Sequence, residues 1–311
     1  MGVEPQLRGR RILVTGAGGF LGPPVVEALE VEGARVVALV GPPDAFARSP
    51  AGAARLARAD ICDVRAVEEL VTGSEVVVHL AGPSSVAASF EQPAEYARVH
   101  VQGTATLLEA CRARGVPRVV HVSSAEVYGR PRTVPVPEDH PLGARSPYGA
   151  AKIGAEKLVE AYVRAHGLTA VVLRLFSVYG PGAAPRSLIP SIVSMVRTTG
   201  EVLLRDLRPI RDYCFVSDVA RAVVLACAAR TSALEVLNVG TMAGTSVEEV
   251  AALVLSELGL PGRPRHSGAR DRPGQSEIYE LVADNCRAGE VLGWRPEVSL
   301  REGLRRFLRE G

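Results

Sequence analysis

Tyr148 and Lys152 stand four residues apart in Tyr148-Gly149-Ala150-Ala151-Lys152, a spacing that puts a phenol and an ammonium on one helical face. An ammonium beside a phenol lowers its pKa and makes phenolate accessible to remove an alcohol proton during hydride transfer. The same spacing is common on solvated helix faces, so the pair gains weight from a second segment. This is Val122-Ser123-Ser124-Ala125-Glu126-Val127-Tyr128-Gly129, which follows an aliphatic run. A serine at the carboxyl end of such a strand is placed to bond the same substrate hydroxyl. A third segment, Thr15-Gly16-Ala17-Gly18-Gly19-Phe20-Leu21-Gly22, spaces glycines as G-x-x-G-x-x-G between a first strand and a first helix. Gly16, Gly19 and Gly22 allow a tight turn, close backbone approach to a pyrophosphate, and close helix–strand packing. The positive end of the helix dipole then faces the phosphates.

Such residues need a frame. Short runs at 12–14, 36–40, 76–78, 119–122 and 171–175 are rich in β-branched residues and apolar on both faces, as strands of a helix-covered parallel sheet must be. Helix-like segments at 25–32, 64–71, 95–114 and 148–166 alternate with them. The alternation predicts an α/β fold, a doubly wound parallel sheet of Rossmann type. After Tyr179-Gly180-Pro181-Gly182 the rhythm loosens. The expected organisation is a dinucleotide-binding domain over 1–176 and a smaller α/β substrate lobe over 177–311, interleaved with the first.

The 311 residues carry 36 basic and 34 acidic side chains, a net charge of +2 that argues against a generic nucleic-acid or membrane-surface protein. Five scattered cysteines, none in C-x-x-C spacing, are neither a disulfide framework nor a zinc site and point to a reducing compartment. No apolar run reaches the length of a membrane span, and the N-terminus lacks a signal-peptide apolar region, so a cytoplasmic enzyme is expected. The six histidines show no metal-ligand spacing, and no metal is expected; His79 and His121 lie in strand-like runs and read as satisfied core histidines.

Nine segments in order, TGAGGFLG, Asp60 to Asp63, His79-Leu80-Ala81, SSAEVYG, SPYGAAK, RLFSVYGPG, RDYCFVSDV, LNVG and LGWRPEVSLREGL, resemble the extended short-chain dehydrogenase/reductases of the nucleotide-sugar epimerase/dehydratase family nearly end to end. The resemblance implies transient oxidation at sugar C4 by tightly held NAD, chemistry on the 4-keto sugar, and return of the hydride. It makes Tyr148 the general base, Lys152 its electrostatic partner and Ser124 the hydrogen-bonding hydroxyl. Cofactor contacts fall to Gly16, Gly19, Phe20, Leu21, Gly22, Leu80, Ala81 and Gly82, with Tyr148 and Lys152. Asp60 and Ile61 would meet the adenine edge, although surface solvation of Asp60 serves as well.

The implied substrate is a nucleotide-diphosphate sugar, with Ser84, Ser124 and Ser177 toward it. Arg211 and Arg272 are the best candidates for its diphosphate, because guanidinium binds phosphate oxygens bidentately. Either could instead pair with a carboxylate such as Asp212 or Asp271. NADP stays open beside NAD: the second strand ends Leu39-Val40-Gly41-Pro42-Pro43-Asp44, which puts Asp44 late for the ribose hydroxyls, and Arg48 would serve a 2′-phosphate equally. A homodimer through the helices at 95–114 and 148–166 is also implied, though their apolar positions would equally face the sheet.

Four positions depart from the family pattern. His100 replaces an Asn, Ser177 replaces another, Gly82 replaces an Ala, and the acidic residue after the second strand is late or absent. His100 either organises the active-site helix or is a satisfied packing residue. Glu126 bears on the reaction: a C4 ketone acidifies the C5 proton, so a nearby carboxylate can abstract it and start elimination of the C6 hydroxyl. A structural salt bridge is its other reading. Ala125 occupies the dehydratase general-acid position and resembles the epimerases, so elimination needs another donor, such as a cysteine, His100 or water. Segments 203–219 and 273–292 resemble the dehydratases more than the galactose epimerases. Dehydration, 4,6- or 5,6-, is the leading expectation. A C4 or C5 epimerase follows, then a nucleotide-glucuronate decarboxylase or NADPH 4-ketoreductase. A non-catalytic dinucleotide-sensing scaffold is the alternative of another class, and the intact Ser124, Tyr148 and Lys152 speak against it.

Overall fold

A computed structural model describes residues 7–41, 55–231, 233–267 and 276–310. Strand β1 (Arg11–Thr15) leads through the glycine turn into α1 (Gly22–Val31), followed by β2 (Arg35–Val40), β3 (Arg55–Arg58), α2 (Val64–Val71) and β4 (Val76–His79). Short helices α3 (Val86–Glu91) and α4 (Pro93–Ala97) run through a π turn at Arg98–Gln102 into α5 (Gly103–Arg114). Then come β5 (Arg118–Ser124), α6 (Pro147–His166), β6 (Thr169–Leu175) and β7 (Ser177–Tyr179). The rest comprises α7 (Leu188–Thr199), β8 (Leu203–Leu204), β9 (Ile210–Phe215), α8 (Val216–Ala228), β10 (Leu234–Val239), β11 (Gly244–Ser246), α9 (Val247–Glu257), β12 (Arg265–His266), β13 (Glu280–Leu281), α10 (Cys286–Leu292) and α11 (Leu300–Glu310).

Seven strands form one parallel sheet in the order β3-β2-β1-β4-β5-β6-β10. Their valines explain why: Val76 and Val78 of β4 pack with α1 and α8 on one face, while Val77 packs with α2 and α5 on the other. Burying each such side chain contributes about 1.5–3 kcal/mol. Chain order reverses between β1 and β4, which are neighbours in the sheet. That reversal opens a crevice at their carboxyl ends, at Thr15 and His79.

The segment expected as one helix over 95–114 is broken by the π turn, where the Gly103 N–H reaches back to Arg98 O. The helix is tightly packed at that point: a Cβ on Gly103 would lie 2.6 Å from Ile61 Cγ2. Beyond Ser177 the chain serves two layers. β10 joins the large sheet and α8 packs on α1, whereas β7, β11 and β13 gather around β9 in a second sheet. Asp212 of β9 ties the layers together, accepting from the Thr241 N–H and hydroxyl, both at 2.6 Å, the Met242 N–H at 3.0 Å and the Ala283 N–H at 3.1 Å. Among the described residues no helix is long and apolar enough to cross a membrane.

Candidate active site

The glycine turn lies against the segment that follows β4. Gly16 has φ +70°, and a Cβ there would come within 2.7 Å of the Ala81 backbone. The Leu80 N–H donates to Thr15 O at 3.1 Å, so the two segments close on each other. A Cβ on Gly22 would lie 2.0 Å from Ala17 O, which fixes helix α1 tight against the turn. No side chain caps α1, and Pro23 and Pro24 bring no N–H to its first turn. Phe20 and Leu21 are half-buried against the core beneath α7 and α9. This is a backbone cradle that a dinucleotide pyrophosphate fits and that side chains would fill. Gly22→Ala is expected to cost about 2–3 kcal/mol through overpacking. Thermal melting should fall by about 3–5 °C, and NAD titration should show weaker binding; an unchanged melt would mean that the turn is not packed this way.

Asp60 is not merely solvated. Its Oδ1 accepts from the Cys62 N–H and its Oδ2 from Arg98, both at 2.9 Å, which holds the carboxyl below its ordinary range. Ile61 is buried beside it. Asp44, Arg48, Asp271 and Arg272 lie outside the described residues.

A buried polar chain runs under the crevice. Thr104 Oγ1 donates to His100 O at 2.5 Å, so it must accept from His79 Nε2 at 3.0 Å. His79 Nδ1 is then the acceptor for the Thr15 hydroxyl at 2.7 Å. Burial pushes His79 down to about 3, and it is the satisfied core histidine expected. His121 is not. Opposite His79 in the strand register, with rings 5.3 Å apart, it has among the described residues no hydrogen-bond partner for either ring nitrogen. In β5 it is set between His79 and Val172 of the neighbouring strands, and burial holds it neutral.

Helix α6 starts at Ser146, whose Oγ accepts from the Gly149 N–H at 3.1 Å, followed by Pro147 in the first turn. That start aims Tyr148 and Lys152 back at the end of β5. Both are buried, at 7% and 5% exposure. The Ser124 side chain lies beside the phenol and pulls its pKa down in part. Lys152 Nζ donates to Val122 O at 2.8 Å and sits 6.0 Å from the Tyr148 ring centroid. Here one expectation reverses: burial drives the phenol above its ordinary value, and the charge of Glu126 adds to that. Burial likewise pulls Lys152 down to about 8, against the opposing charge of Glu156. Depth below the surface is the largest cause in both cases. Glu126 follows Ser124 closely, in the 3-10 turn Ala125–Val127, with its N–H on Ser124 Oγ at 3.2 Å.

Ser84 is exposed in the loop after Gly82, and Ser177 is half-buried at the start of β7. Arg211 pairs with Glu277 at 3.5 Å, neither of the carboxylates expected. Two features escaped the sequence reading. Tyr96, four residues before His100, sets its ring beside both His100 and Tyr148, at 5.9 and 6.1 Å between centroids. Glu156 joins Ser123 at 2.5 Å and holds Arg174 by both carboxylate oxygens. The i, i+4 spacing of Tyr96–His100 and of Lys152–Glu156 was the signal available.

The profile of the NAD dependent epimerase/dehydratase family matches residues 12–240. The chain belongs to that family. The UDP-glucose 4-epimerase of Mycolicibacterium smegmatis is 34% identical over 305 residues, covering 94% of this chain and 96% of that one. A dTDP-glucose 4,6-dehydratase of Streptomyces griseus is 34% identical, covering 94% and 91%. The structure of MoeE5 in complex with UDP-glucuronic acid and NAD is 35% identical with a TM-score of 0.88, covering 96% and 98%. The chain is accordingly an NAD-dependent enzyme of nucleotide-sugar modification.

For this epimerase/dehydratase the cradle at Gly16–Gly22 would hold the NAD pyrophosphate, beside Leu80 and Ala81. Bound NAD supplies a hydride acceptor whose cationic ring also favours phenolate nearby. Tyr148 and Lys152 stand buried beside Ser124 at the carboxyl end of β5. Among the described residues no three His, Cys, Asp or Glu side chains come together as a metal cluster.

Proposed function

We propose that the protein dehydrates a nucleotide-hexose through a 4-keto intermediate, with Glu126 as the base at C5. The observation that supports this reading is the seat of Glu126: its N–H bonds Ser124 Oγ, and its carboxylate acts on the Tyr148 phenol. Tyr148 would serve the C4 hydroxyl, and Glu126 the neighbouring carbon. Ala125 is buried and offers no acid. His100 spends its Nε2–H on Pro83 O, and burial pushes it down to about 2. Glu126 itself, once protonated from C5, is then the group that returns the proton to the departing C6 hydroxyl, so that one water leaves and the carboxylate is restored. Residues 1–176 would take the dinucleotide and 177–311 the sugar nucleotide, with Ser177, Arg211 and Arg272 toward the diphosphate. A second copy would pair through α5 and α6.

Ala125 favours a second reading, epimerisation at C4. A glucuronate substrate suits the site less, because its carboxylate would approach Glu126 and like charges repel. Product mass spectrometry on a nucleotide-sugar panel with NAD in heavy water tests the choice. Loss of one water's mass with deuterium incorporated is expected, and Glu126→Gln should slow it by about 10²–10³-fold while reduced dinucleotide still forms. An isomer of unchanged formula without deuterium would overturn dehydration in favour of the C4 epimerase.

A further inference from the structure

Two of the departures from the family pattern meet in space. Gly82 has φ +137°, and a Cβ there would lie 2.2 Å from His100 Cε1 and 2.5 Å from its Nδ1. His100 is 2% exposed. Its Nε2 stands 2.9 Å from Pro83 O, and since a carbonyl only accepts, the proton is on Nε2. The other side of the ring meets Tyr148 edge-on, with centroids 5.4 Å apart and planes at 63°. Tyr96 lies 5.9 Å from the same ring and donates its hydroxyl to Ser85 O at 2.6 Å. The backbone of His100 is itself fixed, inside the π turn, by the Thr104 hydroxyl on its carbonyl.

We propose that His100 is a positioning residue: its ring joins the Tyr148 phenol and the Gly82–Ser85 loop into one unit, and Gly82 is the space that admits it. The loop carries Gly82 toward the cofactor and Ser84 toward the substrate, while Tyr148 faces the reacting hydroxyl. A wedge between them fixes their mutual distance, and a shift of about 1 Å there costs about 10²-fold in rate. No proton passes through His100, because Nε2–H is held by Pro83 and Nδ1 faces the Gly82 backbone.

A double-mutant cycle of Gly82→Ala and His100→Asn tests the pairing. Gly82→Ala should lower kcat by about 30-fold beside the native His100 but by only about threefold in the His100→Asn background, where the side chain is shorter, a coupling typical of residues in contact. His100→Ala, which creates no clash, should lower kcat by about tenfold with KM within about threefold of wild type, the split expected of misplacement rather than lost binding. Equal costs of Gly82→Ala in both backgrounds, or an unchanged kcat in His100→Ala, would overturn the inference. If Gly82→Ala does not fold, His100→Ala alone decides. The kcat arm rests on the reading above. NAD affinity and thermal melting across the same cycle need no sugar, so a wild type that converts none of the panel would count against that reading while the coupling still decides this one.

Discussion

Tyr148→Phe is expected to lower turnover by about 10³-fold while NAD binding stays within about threefold of wild type, since general-base removal costs about 10²–10⁴. The ring itself is what packs against Tyr96 and His100, and phenylalanine keeps it. What disappears is one oxygen, the one beside Ser124. The phenol sits above its ordinary value because of burial, so losing it removes no favourable charge and the fold should melt at the same temperature or slightly higher. Stopped-flow absorbance separates the steps: NAD-loaded Tyr148→Phe mixed with nucleotide sugar should form reduced dinucleotide about 10³-fold more slowly. A wild-type rate would remove Tyr148 from the mechanism and move attention to Glu126 as the only base.

The frame of this site was legible in the chain because valine-rich runs can be satisfied only inside a doubly covered sheet. The helix at 148–166 was legible too, although its cap at Ser146 and its first turn at Pro147 were not read from the sequence. The types of Ser124, Tyr148 and Lys152 announced their chemistry. Their electrostatics did not follow, because local spacing brings the ammonium near but says nothing of how deeply both groups are buried. His121 deceived for a similar reason: a strand-like context foretells burial and not the partners that burial requires. The pairs that matter most here are distant in sequence, Arg211 with Glu277 and Gly82 with His100. Both required the fold. Once folded, the substitutions at 82 and 100 are no longer two oddities, because one makes room for the other.

Lys152→Met should abolish most turnover, about 10²-fold or more, and yet raise stability at neutral pH. Lys152 is held at about 8 in the folded protein against 10.5 ordinarily, chiefly by burial. The unfolded chain therefore binds more protons between those values, and stability rises with pH through that window. Below about pH 8 the folded protein carries the full cost of a buried ammonium, on the order of 3 kcal/mol from a shift of this size. Methionine removes the charge and keeps the length, while giving up the bond to Val122 O. The variant should thus melt about 3–6 °C above wild type at pH 7, and the gap should close as the pH approaches 10.5, where wild-type lysine is neutral in the folded state and half-neutral in the unfolded chain. Calorimetric melts of both proteins across that range measure it directly. A gap that ignores pH would mean that Lys152 carries its charge at no cost, and then the ammonium beneath Tyr148 would have to be stabilised by Glu156 far more strongly than burial opposes it.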